Sequence, residues 1–106
     1  LATLPTPPIV TIVDVSFISL RAVLPHICAL LRVDADIVAL LKPQFETETI
    51  KAEESSSIRH AKTQRRIRDA FAEWCKEHRL VICNELASPL RGKRGIREVF
   101  VHLRRM

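Results

Sequence analysis

The chain has 106 residues, 47% of them hydrophobic and 27% charged, which excludes a disordered tail and bounds the fold to one small domain with a single packed core. Its 17 Lys and Arg outnumber 12 Asp and Glu, with the excess mainly beyond the middle of the chain, so polyanions are suited partners. Pro5, Asp14, Arg21, Pro25 and Arg32 interrupt the most apolar third, which leaves no stretch long enough for a membrane-spanning helix.

Residues 1–8 read as an irregular, Pro-rich lead. The first residue is Leu1, and nothing before Ile9 has the charged and apolar regions of a secretory leader, so the sequence reads as a piece of a longer reading frame. Ile9 to Val13 is β-branched enough for a buried strand. Pro25 suits the first turn of a helix, where a missing N–H costs nothing, and this predicts a helix from Pro25 to Arg32. Leu24, Ile27, Cys28 and Leu31 form its buried side, with residues 16–23 as a tight approach. Asp34 and Asp36 turn the chain into a second strand, Ile37 to Leu41, which Pro43 ends by holding Lys42 extended.

Residues 46–57 mix Glu, Thr, Lys and three serines without apolar period and read as a mobile loop. From about Ile58 to His78 the positions Ile67, Ala70, Phe71, Trp74 and Cys75 recur at helical spacing, with Ser57 as a candidate N-cap. Leu80 to Cys83 and Glu98 to Leu103 are two further strands. In the second, Val99, Val101 and Leu103 alternate with Phe100 and His102, and residues 88–95 connect the two.

Strand, helix, strand, loop, helix, strand, turn, strand is the order of an α/β fold: the second half of a doubly wound sheet, ending in an antiparallel hairpin. The bare first strand then invites self-association. Asp14 and Lys42 emerge where two neighbouring strands end, the edge at which open α/β sheets bind ligands. Each also has an ordinary reading. Asp14 can cap a turn, Lys42 can be a solvated strand end, and Glu98 can pair with Arg94 or Arg97 at the surface.

Arg91, Lys93, Arg94 and Arg97 crowd a turn with two glycines, either as a solvated hairpin tip or as contacts to an RNA backbone. Arg59, Lys62, Arg65, Arg66 and Arg68 at the helix start read as an ordinary wet face. Cys28, Cys75 and Cys83 lack a Cys-x-x-Cys pair and suit reduced thiols in a cytoplasmic core. Cys75, His78 and Cys83 have no fourth ligand nearby, so no metal site is assigned.

Several strings carry a resemblance: Asp14-Val-Ser-Phe-Ile-Ser-Leu20, Leu24-Pro25, Lys42-Pro-Gln-Phe-Glu46, Ser88-Pro89 and Gly92-x-x-Gly95-x-x-Glu98. Over Ile9 to Arg104 the chain resembles the TlyA-like hemolysin-related proteins, grouped with FtsJ-like S-adenosylmethionine-dependent RNA 2'-O-methyltransferases. The resemblance implies a partial Rossmann-like methyltransferase sheet, ribosomal RNA as partner, S-adenosylmethionine as cofactor and a cytoplasmic location. In that family a Lys-Asp-Lys-Glu tetrad surrounds the target ribose hydroxyl. Its last three members map onto Asp14, Lys42 and Glu98, and its first Lys falls upstream. Asp14, Val15 and Ser16 are the implied cofactor contacts.

A ribose hydroxyl is a poor nucleophile until its oxygen is held on the axis of displacement or its proton is taken. An ammonium flanked by carboxylates is favoured in its charged form, so Lys42 is expected to orient and stabilise rather than to accept the proton. The chain departs from the family in having glycines only at Gly92 and Gly95, far from the first strand where the family carries its cofactor loop. Ile96 stands where the family has Asn and Val99 where it has an aromatic. The family's small N-terminal RNA-binding domain has no counterpart in this sequence. The expected activity is therefore that of an incomplete methyltransferase, with a noncatalytic RNA-binding remnant as the alternative.

Overall fold

A computed structural model describes residues 6, 8–47, 58, 60–91 and 96–105, the side chain of Arg91 excepted. Its elements in chain order are β1 (Val10–Val13), α1 (Leu20–Cys28), β2 (Asp36–Leu41), a short 3-10 turn (Pro43–Phe45), α2 (Ala61–Glu77), β3 (Leu80–Arg91) and β4 (Arg97–Arg105). The sheet order is β1-β2-β4-β3. β1 runs parallel to β2, whereas β4 is antiparallel to both of its neighbours. This is the α/β half-sheet with a terminal hairpin that the element order predicts.

Alternation decides which face is covered. In β2, Ile37, Ala39 and Leu41 are fully buried, and in β4 so are Val101 and Leu103, with Val99 nearly so. These side chains share one face and pack with Leu20 and Leu24 of α1 and Phe71 and Cys75 of α2. Each such apolar side chain stabilises the fold by roughly 1.5–3 kcal/mol. The opposite face carries exposed Ile12, Leu86 and Phe100. Burial pushes the Cys75 thiol up to about 12 and raises that of Cys28, as expected of inert core thiols.

Several boundaries differ from the sequence reading. α1 runs from Leu20 to Cys28 in place of the expected Pro25 to Arg32, and Pro25 sits inside the helix. Ser19 supplies the cap, its hydroxyl accepting from the Arg21 N–H at 3.1 Å. Pro25 therefore costs the helix one backbone bond and does not start it. α2 begins at Ala61, and Ser57, the expected cap, lies outside the described residues.

β3 continues through Ser88 and Pro89, which the sequence reading placed in the connection. An edge strand tolerates the missing N–H of a proline, and the pairing shifts register between Ala87 and Arg91. Last, Glu46 is buried and does not open a mobile loop. Both ends of α1 are in fact held by residues remote in sequence. The Glu46 carboxylate accepts from the Leu20 N–H at 2.7 Å, and Arg105 Nη1 donates to the Cys28 and Leu31 carbonyls at 3.1 and 3.0 Å. An anion at the start and a cation at the end match the helix dipole.

Candidate active site

Three strand termini meet at one rim. β1 ends at Val13 and releases Asp14, β2 ends at Leu41 and releases Lys42, and Val99 of β4 pairs with Leu41. One further step along that register sets Glu98 beside Lys42. Lys42 Nζ lies 2.6 Å from Asp14 Oδ1 and donates to Ser16 Oγ at 3.0 Å. The Lys42 side chain is 13% exposed and that of Asp14 59%. The aliphatic stem is thus packed away while the ammonium is delivered to the surface. Among the described residues two acceptors face the ammonium, which has three N–H donors.

Glu98 is reached through a different partner. Its Oε2 accepts from Gln44 Nε2 at 3.2 Å, and Gln44 Oε1 is buried without a hydrogen-bond partner among the described residues. The structure therefore joins Asp14, Ser16 and Lys42 directly, with Glu98 on the same rim held by Gln44. Arg97 is engaged within the hairpin: its Nη1 donates to the Ser88 carbonyl at 2.6 Å, and its backbone N–H donates to Gln64 Oε1 at 3.2 Å. Lys93, Arg94 and the Arg91 side chain lie outside the described residues.

The two longest sequence strings prove to be partners, joined rung by rung. Asp14 and Ser16 meet Lys42, the Phe17 ring lies 5.1 Å from that of Phe45, and Ser19 Oγ donates to Glu46 Oε1 at 2.6 Å. Glu46, 1% exposed, closes the series and also lies 3.6 Å from Arg21. A buried carboxylate persists only where donors surround it. It fixes the segment after β2 against the segment after β1, and so sets where Lys42 points.

Phe17 and Gln44 are rim residues that the sequence reading did not single out. Phe17 has φ 65° and is 89% exposed. A bulky residue in the left-handed region is an uncommon and costly conformation. Such strain collects at functional sites. Neither residue has a local signal: an apolar Phe after a strand reads as core, and Gln44 gains its meaning only from Glu98, 54 residues away.

Asp14 and Lys42 leave the carboxyl ends of the two parallel strands, and Glu98 opens the antiparallel strand beside them; in doubly wound α/β domains the carboxyl edge of the parallel strands is where ligands bind. No family model matches the sequence. The chain is 37% identical over 93 residues to the "16S/23S rRNA (cytidine-2'-O)-methyltransferase TlyA" of Mycobacterium tuberculosis, covering 88% of this chain and 35% of that protein. To the "Putative rRNA methyltransferase YqxC" of Bacillus subtilis it is 35% identical over 92 residues, 86% of this chain and 32% of that one.

Among solved structures, the "Putative hemolysin from Streptococcus thermophilus" superposes with a TM-score of 0.83 at 27% identity, over 94% of this chain and 36% of the other. A "putative hemolysin from Lactococcus lactis" superposes with a TM-score of 0.81 at 30% identity, over 95% of this chain and 48% of the other. The chain belongs to the TlyA-like hemolysin-related family, and spans about a third of the length of the curated relatives it matches.

Proposed function

We propose that this chain is the hydroxyl-orienting portion of an RNA 2'-O-methyltransferase acting on ribosomal RNA in the cytoplasm. The observation that carries the reading is the Lys42 ammonium held by Asp14 and Ser16 at the rim. With two acceptors fixing its direction, the third N–H is the donor for a ribose oxygen. Holding that oxygen in line with an incoming methyl group is a positioning effect, worth several orders of magnitude in rate when the geometry is rigid. The charge of the ammonium also stabilises the negative charge that develops on that oxygen as its proton passes to solvent water at the exposed rim. The exposed Phe17 ring gives the attached nucleobase a stacking face.

S-adenosylmethionine is the implied methyl donor, and the residues present fit only its reacting end. The half-exposed Asp14 carboxylate, with Val15 and Ser16 in the same loop, would face a cationic sulfonium. No described residue is assigned to the adenosine end. The cofactor would supply an electrophilic methyl group, and the chain supplies the geometry of the acceptor.

A second reading is a noncatalytic RNA-binding remnant of the same fold. One pair of measurements separates the two. The full-length protein, incubated with ribosomal RNA and radiolabelled S-adenosylmethionine, is expected to leave label on ribose 2'-oxygens, detected as resistance of the adjacent phosphodiester to alkali. Label on bases, or RNA binding without transfer or cofactor binding by calorimetry, would overturn the methyltransferase reading.

A further inference from the structure

Facing charges on β2 and β4 behave differently at the two ends of the strand pair. At the start of β2, Asp36 lies directly opposite Arg104, and the two close an ion pair at 2.6 Å. At the rim, the register step beyond Leu41 and Val99 sets Lys42 directly opposite Glu98. Residues so opposed have Cβ atoms about 4.5–5.5 Å apart and attract when their charges differ in sign. Yet among the described residues Lys42 and Glu98 make no ion pair. Lys42 turns to Asp14 and Ser16, and Glu98 turns to Gln44.

The main chain around Glu98 is fixed on both sides. The Arg97 N–H donates to Gln64 Oε1, on a buried side chain of α2, at 3.2 Å, and Arg97 Nη1 donates to the Ser88 carbonyl of β3 at 2.6 Å. Val99 is buried and pairs with Leu41 on one side and Ala87 on the other. The direction of the Glu98 carboxylate is therefore left to its side-chain torsions and to the donor it meets. That donor is Gln44 Nε2 at 3.2 Å. An ionised carboxylate only accepts, so the amide presents its N–H there. The turn that carries Gln44 is itself held: Pro43 is fully buried, the Phe45 N–H donates to the Lys42 carbonyl at 2.9 Å, and Glu46 is anchored on the Leu20 N–H.

We infer that Gln44 is a positioning residue: by holding the Glu98 carboxylate it keeps that acid off the Lys42 ammonium and reserves the third N–H for a substrate hydroxyl. The inference rests on the hydroxyl-orienting role proposed for Lys42. Its physical basis is competition for one donor. A carboxylate reaching across the strand pair would occupy the third N–H of Lys42 and close the cluster, as His102 and Arg104 close around Asp36. A ribose hydroxyl, a neutral acceptor, would then have to displace an anion, and charge-assisted bonds are the stronger ones. An amide suits the task because it donates to the acid without bringing a second cation beside Lys42.

The test uses the full-length protein and Gln44→Met, which keeps the length of the side chain and removes the amide. Its crystal structure is expected to show the Glu98 carboxylate within about 4 Å of Lys42 Nζ, the limit of an ion pair. The kcat for methyl transfer to ribosomal RNA should fall by between about 10- and 100-fold, the scale of a misplaced positioning group, with the KM for RNA unchanged. Gln44→His still offers a ring N–H at similar reach. It is expected to leave Glu98 away from Lys42 and to restore most of the rate.

A Glu98 carboxylate that stays clear of Lys42 in Gln44→Met would overturn the inference, and so would an ion pair that forms with no loss of rate. A Gln44→His variant as slow as Gln44→Met would show that the donor to Glu98 is not what matters. The structural measurement stands apart from catalysis. Absence of methyl transfer by the parent protein would sink the proposed function, while the place of Glu98 in Gln44→Met would still decide whether Gln44 governs it.

Discussion

The two ends of β2 carry two ion-pair clusters built from the same kinds of groups, and they do different things. At the start of the strand, Asp36 Oδ1 accepts from His102 Nε2 at 2.7 Å and from Arg104 Nε at 2.6 Å, both on β4. The hydrogen bonds from Arg104 and then His102 hold the Asp36 carboxyl down at about 2. Acid and bases are saturated by each other, across a strand pair that the register already sets side by side. At the other end Lys42 leaves the strand with its stem packed and its ammonium only part-engaged. There the acid is the exposed partner and the base the covered one, an arrangement that leaves a donor for something else. A closed cluster clips two strands; an open one has room for a substrate.

The sharpest way to break this contrast is Lys42→Met, which keeps the packed stem and removes the ammonium. Methyl transfer by the full-length protein should fall by about 10²–10³-fold. Unfolding free energy should change by about 1 kcal/mol or less, since a part-exposed pair contributes little. A transfer rate near that of the parent would show that the rim does not act through this amine. Glu46→Ala should behave in the reverse sense for stability. It strips the α1 start and Ser19 of a buried, charge-assisted acceptor and is expected to cost on the order of 3 kcal/mol, measured by urea unfolding. Glu46→Gln, still able to accept one bond, should cost less.

Most of the fold was legible because two periods are strong. The unbroken apolar run Ile37 to Leu41 and the alternation of Val99, Val101 and Leu103 marked the two central strands, and the helical spacing of Ile67, Phe71 and Cys75 marked the long helix. The meeting of Asp14 with Lys42 followed from two adjacent parallel strands ending together. What local pattern could not show was long-range. Pro25 is a strong helix-start signal, yet the start was set by Ser19 together with an acid 27 positions away. Glu46 reads as loop in a polar stretch, whereas donors at the α1 start, Ser19, Leu20 and Arg21, offset the cost of its burial. Gln64 reads as part of a wet face, because nothing in sequence order reveals its bond to the Arg97 N–H, 33 residues away.

The smallest expected effect belongs to the closed cluster, and it is a matter of sign. Asp36 has a folded-state pKa of about 2, below its ordinary value of 3.8. Its contribution is therefore fully present above the ordinary carboxylate range and is lost as pH falls through the window between those two values. Asp36→Asn removes the titrating group. The gap in thermal midpoint between the parent and this variant should hold steady above about pH 5 and close toward about pH 2. Both partners are well exposed, with Arg104 more than half so, and added salt should narrow the gap further. A gap that persists undiminished at acid pH would mean that the Asp36 side chain acts by packing rather than by charge, and that the two ends of β2 differ in more than the saturation of their ion pairs.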